Sequence, residues 1–374
     1  MTKNRNSVKK SKRWVIKIGS AVLTADGKGL NKEALAQWSI QLEFLMAQGL
    51  EFVIVSSGAV AEGMARLGRG VVSPTVSESQ VAAAIGQMGL MQAYESEFKK
   101  FNRNTAQVLL SHNDILNRQR YLNARNTINT LISLGVVVII NENDVVATEQ
   151  IRFGDNDTLA AMVANLIDAD LLVILTDQDG FFDADPRKNT QAKLISCANS
   201  DDKKLYRSAG SSGLLGQGGM VTKLKAAKIA SRSGADTIIV GGKLNQVFTR
   251  LSEGEMLGTL LVSSETTVTS RKQWLGSGLK IRGRLILDAG ALNALKKNGK
   301  SLLPVGVTSV EGNFHKGDLV KCTDSQGIEI ARGLVNYSSK ETAKIIGKKS
   351  ASIVDILGYN ESYMLIHRDN LSLN

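Results

Sequence analysis

Two lysines and an aspartate sit where residue type and spacing can do chemistry. Lys17 interrupts the apolar run "WVIKIG", two residues before Gly19. A lysine inside an apolar strand is costly unless it meets an anion. Lys223 follows the stretch "GLLGQGGMVTKLKAAKIA" (213–230), where four glycines in seven residues lead into a helical pattern. Glycines let the backbone turn its N–H groups inward, and a helix N-terminus attracts anions. The spacing is not a Walker P-loop, because no lysine follows Gly219 directly. Nor is it G-x-G-x-x-G, because Val221 occupies the last glycine position. The third element is "GDNDTL", which sets Asp155, Asn156 and Asp157 ahead of a helix expected to start near Thr158. One polar residue there serves as a cap. Three exceed that need, and an aspartate between two lysines can hold both ammonium groups toward a phosphate.

These residues point to a phosphorylated ligand. Phosphoryl transfer needs neither a histidine base nor a cysteine nucleophile. It works by positioning and charge neutralisation, with Mg²⁺ and lysines screening the transferring group. The composition fits that reading. His112, His315 and His367 form no metal-ligand cluster, and Cys197 and Cys322 lie far apart, as suits a reducing compartment. The longest apolar runs are too short to cross a bilayer. The start, "MTKNRNSVKKSKRW", lacks the apolar core of a secretory signal. A cytoplasmic protein without a membrane segment is expected.

The elements that must position these groups alternate in type. "WVIKIG", "EFVIVSSG", "AQVLLSHND", "VVVIINEND", "LLVILTDQDG" and "DTIIVGG" are short β-branched or leucine runs, as in parallel strands buried on both faces. Amphipathic stretches separate them. One places Leu35, Trp38, Leu42, Leu45 and Met46 on a single face, with Asn31 as its N-cap and Gly49 as its stop. Another begins with a Ser77-x-x-Gln80 capping box. The alternation predicts an open, mainly parallel α/β sheet with helices on both faces. Each strand candidate ends in a polar or glycine cluster: Gly19-Ser20, Ser56-Ser57-Gly58, Ser111 to Asp114, Asn141 to Asp144, Thr176 to Asp179, and Gly241-Gly242. In such sheets ligands bind at the carboxyl ends of the strands.

Charge and texture divide the chain. Residues 1–13 carry six Lys/Arg and no acids, and read as a basic tail. Residues 14–265 form the α/β domain, and 266–279 read as a polar linker. Residues 280–374 hold short strands, turns and a basic helix near "SKETAKIIGKK", as in a small, mostly-β, barrel-like domain. From residue 270 onward there are 16 basic and nine acidic side chains, so the net charge of +11 belongs to the two ends. Such patches are consistent with RNA, or with a solvated face.

The motifs "VIKIGSAVL", "VIVSSGAVAEG", "VVVIINENDVVAT", "RFGDNDTLAA", "LTDQDGFFDADPR" and "GQGGMVTKLKAA" resemble the amino acid kinase family. Within it they resemble the members that phosphorylate the glutamate γ-carboxylate with ATP at the opening of proline biosynthesis. The C-terminal part resembles a PUA domain, an RNA-binding module in other proteins. The resemblance implies that Lys17 and Lys223 stabilise the transferring phosphoryl group and that Asp157 orients them. It implies that Ser57, Asp144 and Asn156 bind glutamate, with Asp144 receiving its α-amino group. It implies that Thr176 and Asp177 hold ATP together with Lys17 and the loop Gly216, Gln217, Gly218, Gly219, Met220, Val221, Thr222 and Lys223. Gln217 stands where the family usually has threonine. Mg²⁺ carried on the ATP phosphates, proline as feedback inhibitor, hand-off of the labile acyl phosphate to glutamyl-phosphate reductase, and a homo-oligomer are implied in the same way. Two other readings stay open. The chain could be a family member acting on N-acetylglutamate or aspartate, which "INEND" and the PUA-like part argue against. It could be an RNA-binding protein with a vestigial kinase domain, which the intact Lys17, Asp157 and Lys223 oppose.

Overall fold

A computed structural model of the 374-residue chain describes residues 5–24, 29–68, 75–146, 156–186, 188–203, 205–206, 219–263, 281–298, 300–360 and 362–373. The chain folds as two units, Met1–Thr267 and Val268–Asn374. The linker expected at 266–279 lies outside the described residues.

Among the described residues the first unit is built on eight strands: β1 (Arg13–Ile18), β2 (Glu51–Ser56), β3 (Thr105–Leu110), β4 (Val137–Glu142), β5 (Leu171–Thr176), β6 (Cys197–Asn199), β7 (Asp236–Gly241) and β8 (Thr259–Val262). Their order is β3-β4-β2-β1-β5-β7-β8-β6. All neighbours pair in parallel except β7 with β8. The continuous apolar runs are therefore explained, since β4 and β5 are buried along their whole length on both faces.

Alternation along β1 decides where Lys17 points. Trp14, Ile16 and Ile18 join one core, with Leu35, Trp38, Leu42 and Leu45 of the helix Lys32–Ala47. Val15 joins the opposite core, with Leu159, Ala160 and Val163 of the helix Asn156–Leu166 and Ala226 and Ala230 of the helix Met220–Ala230. Lys17 shares the face of Val15 by the period of two. Its side chain therefore runs toward the two helices whose first turns carry Asp157 and Lys223.

Three local expectations changed. Residues 5–10, expected within a tail, form the helix Arg5–Lys10. Its Val8 is buried in the first core, and Ser7 Oγ donates to Asp236 Oδ2 at 2.7 Å, so an apolar anchor and a polar tie hold it. The helix expected to be capped by Ser77 starts at Val76, with Thr75 as N-cap and Glu78 completing the box. The Glu78 carboxylate accepts from both Thr75 N–H and Thr75 Oγ1 at 2.9 Å, a charge-assisted pair that Gln80 cannot match. The helix expected to begin near Thr158 begins at Asn156.

The second unit has, among the described residues, five strands: β9 (Gly283–Leu287), β10 (Val307–Gly312), β11 (Leu319–Thr323), β12 (Glu329–Leu334) and β13 (Leu371–Leu373), in the order β10-β9-β11-β12-β13. Its own core includes Leu285, Phe314, Val320, Tyr337 and Leu365. The basic helix is Ser339–Ile345, capped by Ser338 with Glu341.

Two helices beside the site touch backbone to backbone. A Cβ on Gly86 of the helix Val76–Lys99 would lie 1.8 Å from the Ala59 carbonyl oxygen, and one on Gly63 of the helix Ala59–Arg66 would lie 1.8 Å from that of Ala82. Neither neighbour is a flexible side chain that can step aside. Gly86→Ala is therefore expected to destabilise the protein by about 1–3 kcal/mol through forced separation of the helices. Chemical denaturation checks this, and an unchanged midpoint would contradict the packing.

Candidate active site

The polar ends of β1, β2, β4 and β5 converge on one cavity of about 540 Å³. Lys17, Gly19, Ser57, Asn141, Asp144, Asn156, Thr176, Asp177 and Lys223 all line it. Asp157 lies beneath, fully buried. Its Oδ1 stands 2.6 Å from Lys17 Nζ, and its Oδ2 stands 3.0 Å from Lys223 Nζ. Both lysines are almost fully buried as well. Thr222 Oγ1 lies 3.1 Å from Asp157 Oδ2 and 2.6 Å from the Gly219 carbonyl.

The electrostatics follow from this burial. Desolvation alone would raise the Asp157 carboxyl, but the two ammonium groups outweigh it and hold it below its ordinary value of 3.8. One carboxylate against two ammonium groups leaves a net positive charge at the cavity floor. That charge is preorganised for an anion, since neither ammonium has to move far to meet one.

Backbone geometry adds donors around it. The helix Met220–Ala230 begins at Gly219, which has no side chain to cap it, and the Thr222 N–H turns back to the Gly219 carbonyl at 3.1 Å; the start of a helix attracts an anion. Gly58 adopts φ +97° at the turn from β2 into the next helix, a conformation that favours glycine. Gly19 leaves room beside Lys17, since a Cβ there would stand 3.2 Å from the Leu175 carbonyl and 3.6 Å from Lys17 Nζ.

The opposite wall is a network of amides. Asn156 Nδ2 donates to the Ser56 carbonyl at 2.8 Å, to Asn141 Oδ1 at 2.9 Å and to Ser57 Oγ at 3.1 Å. Asn141 Nδ2 donates to Gln87 Oε1 at 2.9 Å. Behind Ser57, the hydroxyls of Ser56 and Tyr94 lie 3.0 Å apart. At the end of β5, Thr176 Oγ1 donates to Asp177 Oδ1 at 3.0 Å.

The cavity thus gathers Lys17, Ser57, Asp144, Asn156, Thr176, Asp177 and Lys223 from six separate segments. Gly216, Gln217 and Gly218 lie outside the described residues, as does Asp155. Met220 and Val221 do not line the cavity; they pack against the cluster of Phe181, Leu205 and Leu224. The strand end at Ser111 is a cap, because Ser111 and Asp114 close a capping box on the helix His112–Leu116. Sequence reasoning missed the bond from Thr222 to Asp157 and the link from Asn141 to Gln87. Asn141 was visible in "INEND", but Gln87 is one polar residue within a long helix and carries no local signal. No helix among the described residues is long and apolar enough to cross a membrane.

Comparison with known proteins gives consistent matches. The profile of the amino acid kinase family matches residues 12–242, and that of the PUA domain matches residues 283–357. The glutamate 5-kinase of Pseudomonas putida (strain GB-1) is 57% identical over 370 residues, covering 99% of this chain and 100% of the relative. That of Pseudomonas savastanoi pv. phaseolicola (strain 1448A / Race 6) is 59% identical over 364 residues, covering 97% and 99%. That of Stutzerimonas stutzeri (strain A1501) is 57% identical over 370 residues, covering 99% and 100%.

The depressed Asp157 carboxyl fixes a pH dependence. A group whose folded pKa is lowered stabilises the fold above its ordinary value, and that contribution is lost as pH falls through the folded pKa. Asp157→Asn leaves two buried ammonium groups without their counter-charge, and is expected to cost about 3–5 kcal/mol at neutral pH. The gap between wild type and variant should stay constant down to roughly pH 5 and close below the ordinary value of 3.8. Urea unfolding of both proteins across that range is the measurement. A gap that widened toward acid would reverse the assignment.

Proposed function

The chain belongs to the amino acid kinase family, on its glutamate 5-kinase branch, and on that premise we propose how its residues divide the work of the reaction. The reaction transfers the γ-phosphoryl group of ATP to the γ-carboxylate of L-glutamate, yielding L-glutamyl 5-phosphate for proline biosynthesis. The carboxylate is already ionised at neutral pH, so the nucleophile needs no general base. What the reaction does need is in-line placement and neutralisation of charge on the transferring group.

One observation carries the assignment: two buried ammonium groups held by one buried carboxylate at the floor of the cavity. Lys17 and Lys223 would bracket the phosphoryl oxygens as charge moves onto them. Asp157, with both oxygens engaged, would act as the brace that aims them. Thr176, Asp177 and the 216–223 loop would hold ATP, with the N-terminus of the Met220–Ala230 helix toward its phosphates. Ser57, Asp144 and Asn156 would hold glutamate, the Asp144 carboxylate meeting its ammonium group.

Mg²⁺ fits this arrangement through the nucleotide and not through Asp157, whose oxygens are taken by ammonium groups. Bound to the ATP phosphates, it would supply further charge neutralisation. A cytoplasmic setting, feedback inhibition by proline, assembly into a homo-oligomer and hand-off of the labile acyl phosphate to a reductase complete the proposal. The vestigial-kinase reading is not favoured, because the triad it would have lost is assembled.

Two variants test the division of labour. Lys223→Ala is expected to lower kcat by about 10²-fold or more, as on removal of one preorganised stabiliser of transition-state charge. A near-normal kcat with only a raised KM would overturn the role. Asp144→Ala is expected to raise the glutamate KM by at least about tenfold with little change in the ATP KM. Equal effects on both substrates in steady-state ADP release would place Asp144 elsewhere in the mechanism.

A further inference from the structure

We propose that Gln87, which does not line the active-site cavity, is a positioning residue: it holds Asn141, and through Asn141 it steadies the Asn156 amide whose oxygen meets the substrate's α-ammonium group. The inference rests on the reading that Asp144 and Asn156 bind glutamate.

The orientations of the amides follow from the backbone. The Glu142 N–H donates to Asn141 at 2.9 Å, so the atom it meets must be the carbonyl oxygen, Oδ1. Asn141 Nδ2 then turns to Gln87, whose facing atom must be its acceptor, Oε1. The Ser56 carbonyl fixes Asn156 in the same way, since the atom 2.8 Å from it must be a donor. That Nδ2 is also 2.9 Å from Asn141 Oδ1 and 3.1 Å from Ser57 Oγ. Two hydrogens are shared among three protein acceptors, and none is left over for a ligand.

The remaining polar atom of Asn156 is Oδ1, an acceptor only. Asn156 and Asp144 both line the cavity. An amide oxygen and a carboxylate together suit a group that donates several hydrogen bonds and carries positive charge. They are unsuited to a second carboxylate. The pair therefore reads the ammonium group of an amino acid, and does so only while the Asn156 amide stays in this orientation.

Gln87 secures that orientation from behind. Its Nε2 is buried and makes no hydrogen bond among the described residues. Among those residues the side chain therefore acts through its oxygen alone. Without Oε1, Asn141 Nδ2 would lose its partner. Asn141 would regain one only by shifting, which strains its bonds to the Glu142 N–H and to Asn156. Asn156 would then rest on the Ser56 carbonyl and Ser57 alone, and its oxygen would be held less firmly for the ammonium group.

The test uses the full chain and steady-state ADP release, with glutamate and with glutarate, which is the same skeleton without the ammonium group. Gln87→Met keeps the length of the side chain and removes the acceptor. It should raise the glutamate KM about tenfold, the effect of one unsatisfied buried donor, with the ATP KM unchanged. It should also lower the preference for glutamate over glutarate by a similar factor. Gln87→Glu keeps an oxygen at the position and should recover most of the loss. An unchanged glutamate KM in Gln87→Met, an equal loss on glutarate, or a failure of Gln87→Glu to recover would overturn the proposal. Asp144→Ala, assayed in parallel, separates the two levels. If it raises the glutamate KM while Gln87→Met does not, only the role of Gln87 fails. If Asp144→Ala has no effect either, the placement of the ammonium group fails, and this proposal with it.

Discussion

Asp157 holds the active site together. It is a fully buried carboxylate with an ammonium group on each oxygen. Burying three charges is expensive, and a buried ion pair seldom adds stability over an apolar replacement. The arrangement makes sense as a device for keeping two cations ready in a place they would otherwise avoid. Its unequal count, two positive against one negative, is the useful part. It leaves a positive floor that an incoming phosphate can neutralise.

The surrounding structure serves that device. Lys17 needs a strand whose alternation turns it toward the helices, and β1 supplies this at the centre of the sheet. Asp157 and Lys223 need helices that begin close together. The helices Asn156–Leu166 and Met220–Ala230 bury small residues, Ala160, Ala164, Ala226 and Ala230, in a shared core. Small side chains let helix axes approach, which brings the first turns within ion-pair distance. Gly63 and Gly86 allow the same close approach between two further helices that line the cavity.

The two sides of the cavity differ in chemistry. Around the lysines the groups are ammonium groups braced by Asp157, which suit phosphates. Around Asn156 the groups are acceptors, because the amide hydrogens are already spent inside the protein. A carboxylate nucleophile that also carries an ammonium group can lie between them with its charged ends matched. On the proposed division of the site, selectivity and catalysis come from one cavity whose two sides differ in polarity.

How much of this the sequence determined depends on the range of each interaction. The strands, the helices and the polar strand ends were legible, because hydrophobic period and turn residues act over a few neighbours. Lys17, Asp157 and Lys223 were legible because a charge in an apolar or glycine-rich setting is conspicuous by its cost. Tertiary structure decided the order β3-β4-β2-β1-β5-β7-β8-β6, and with it the meeting of those three residues. It decided that Val8 is a core residue of a docked helix, although a charge count reads its neighbourhood as a tail. It chose Thr75 over Ser77 as a cap, because a small shift in the helix start selects which side chain can reach back. It alone revealed Gln87, since a single amide in a helix has no period and no cost until its partner is known. Local energies select elements, whereas contacts between residues distant in sequence depend on which faces those elements bury against each other.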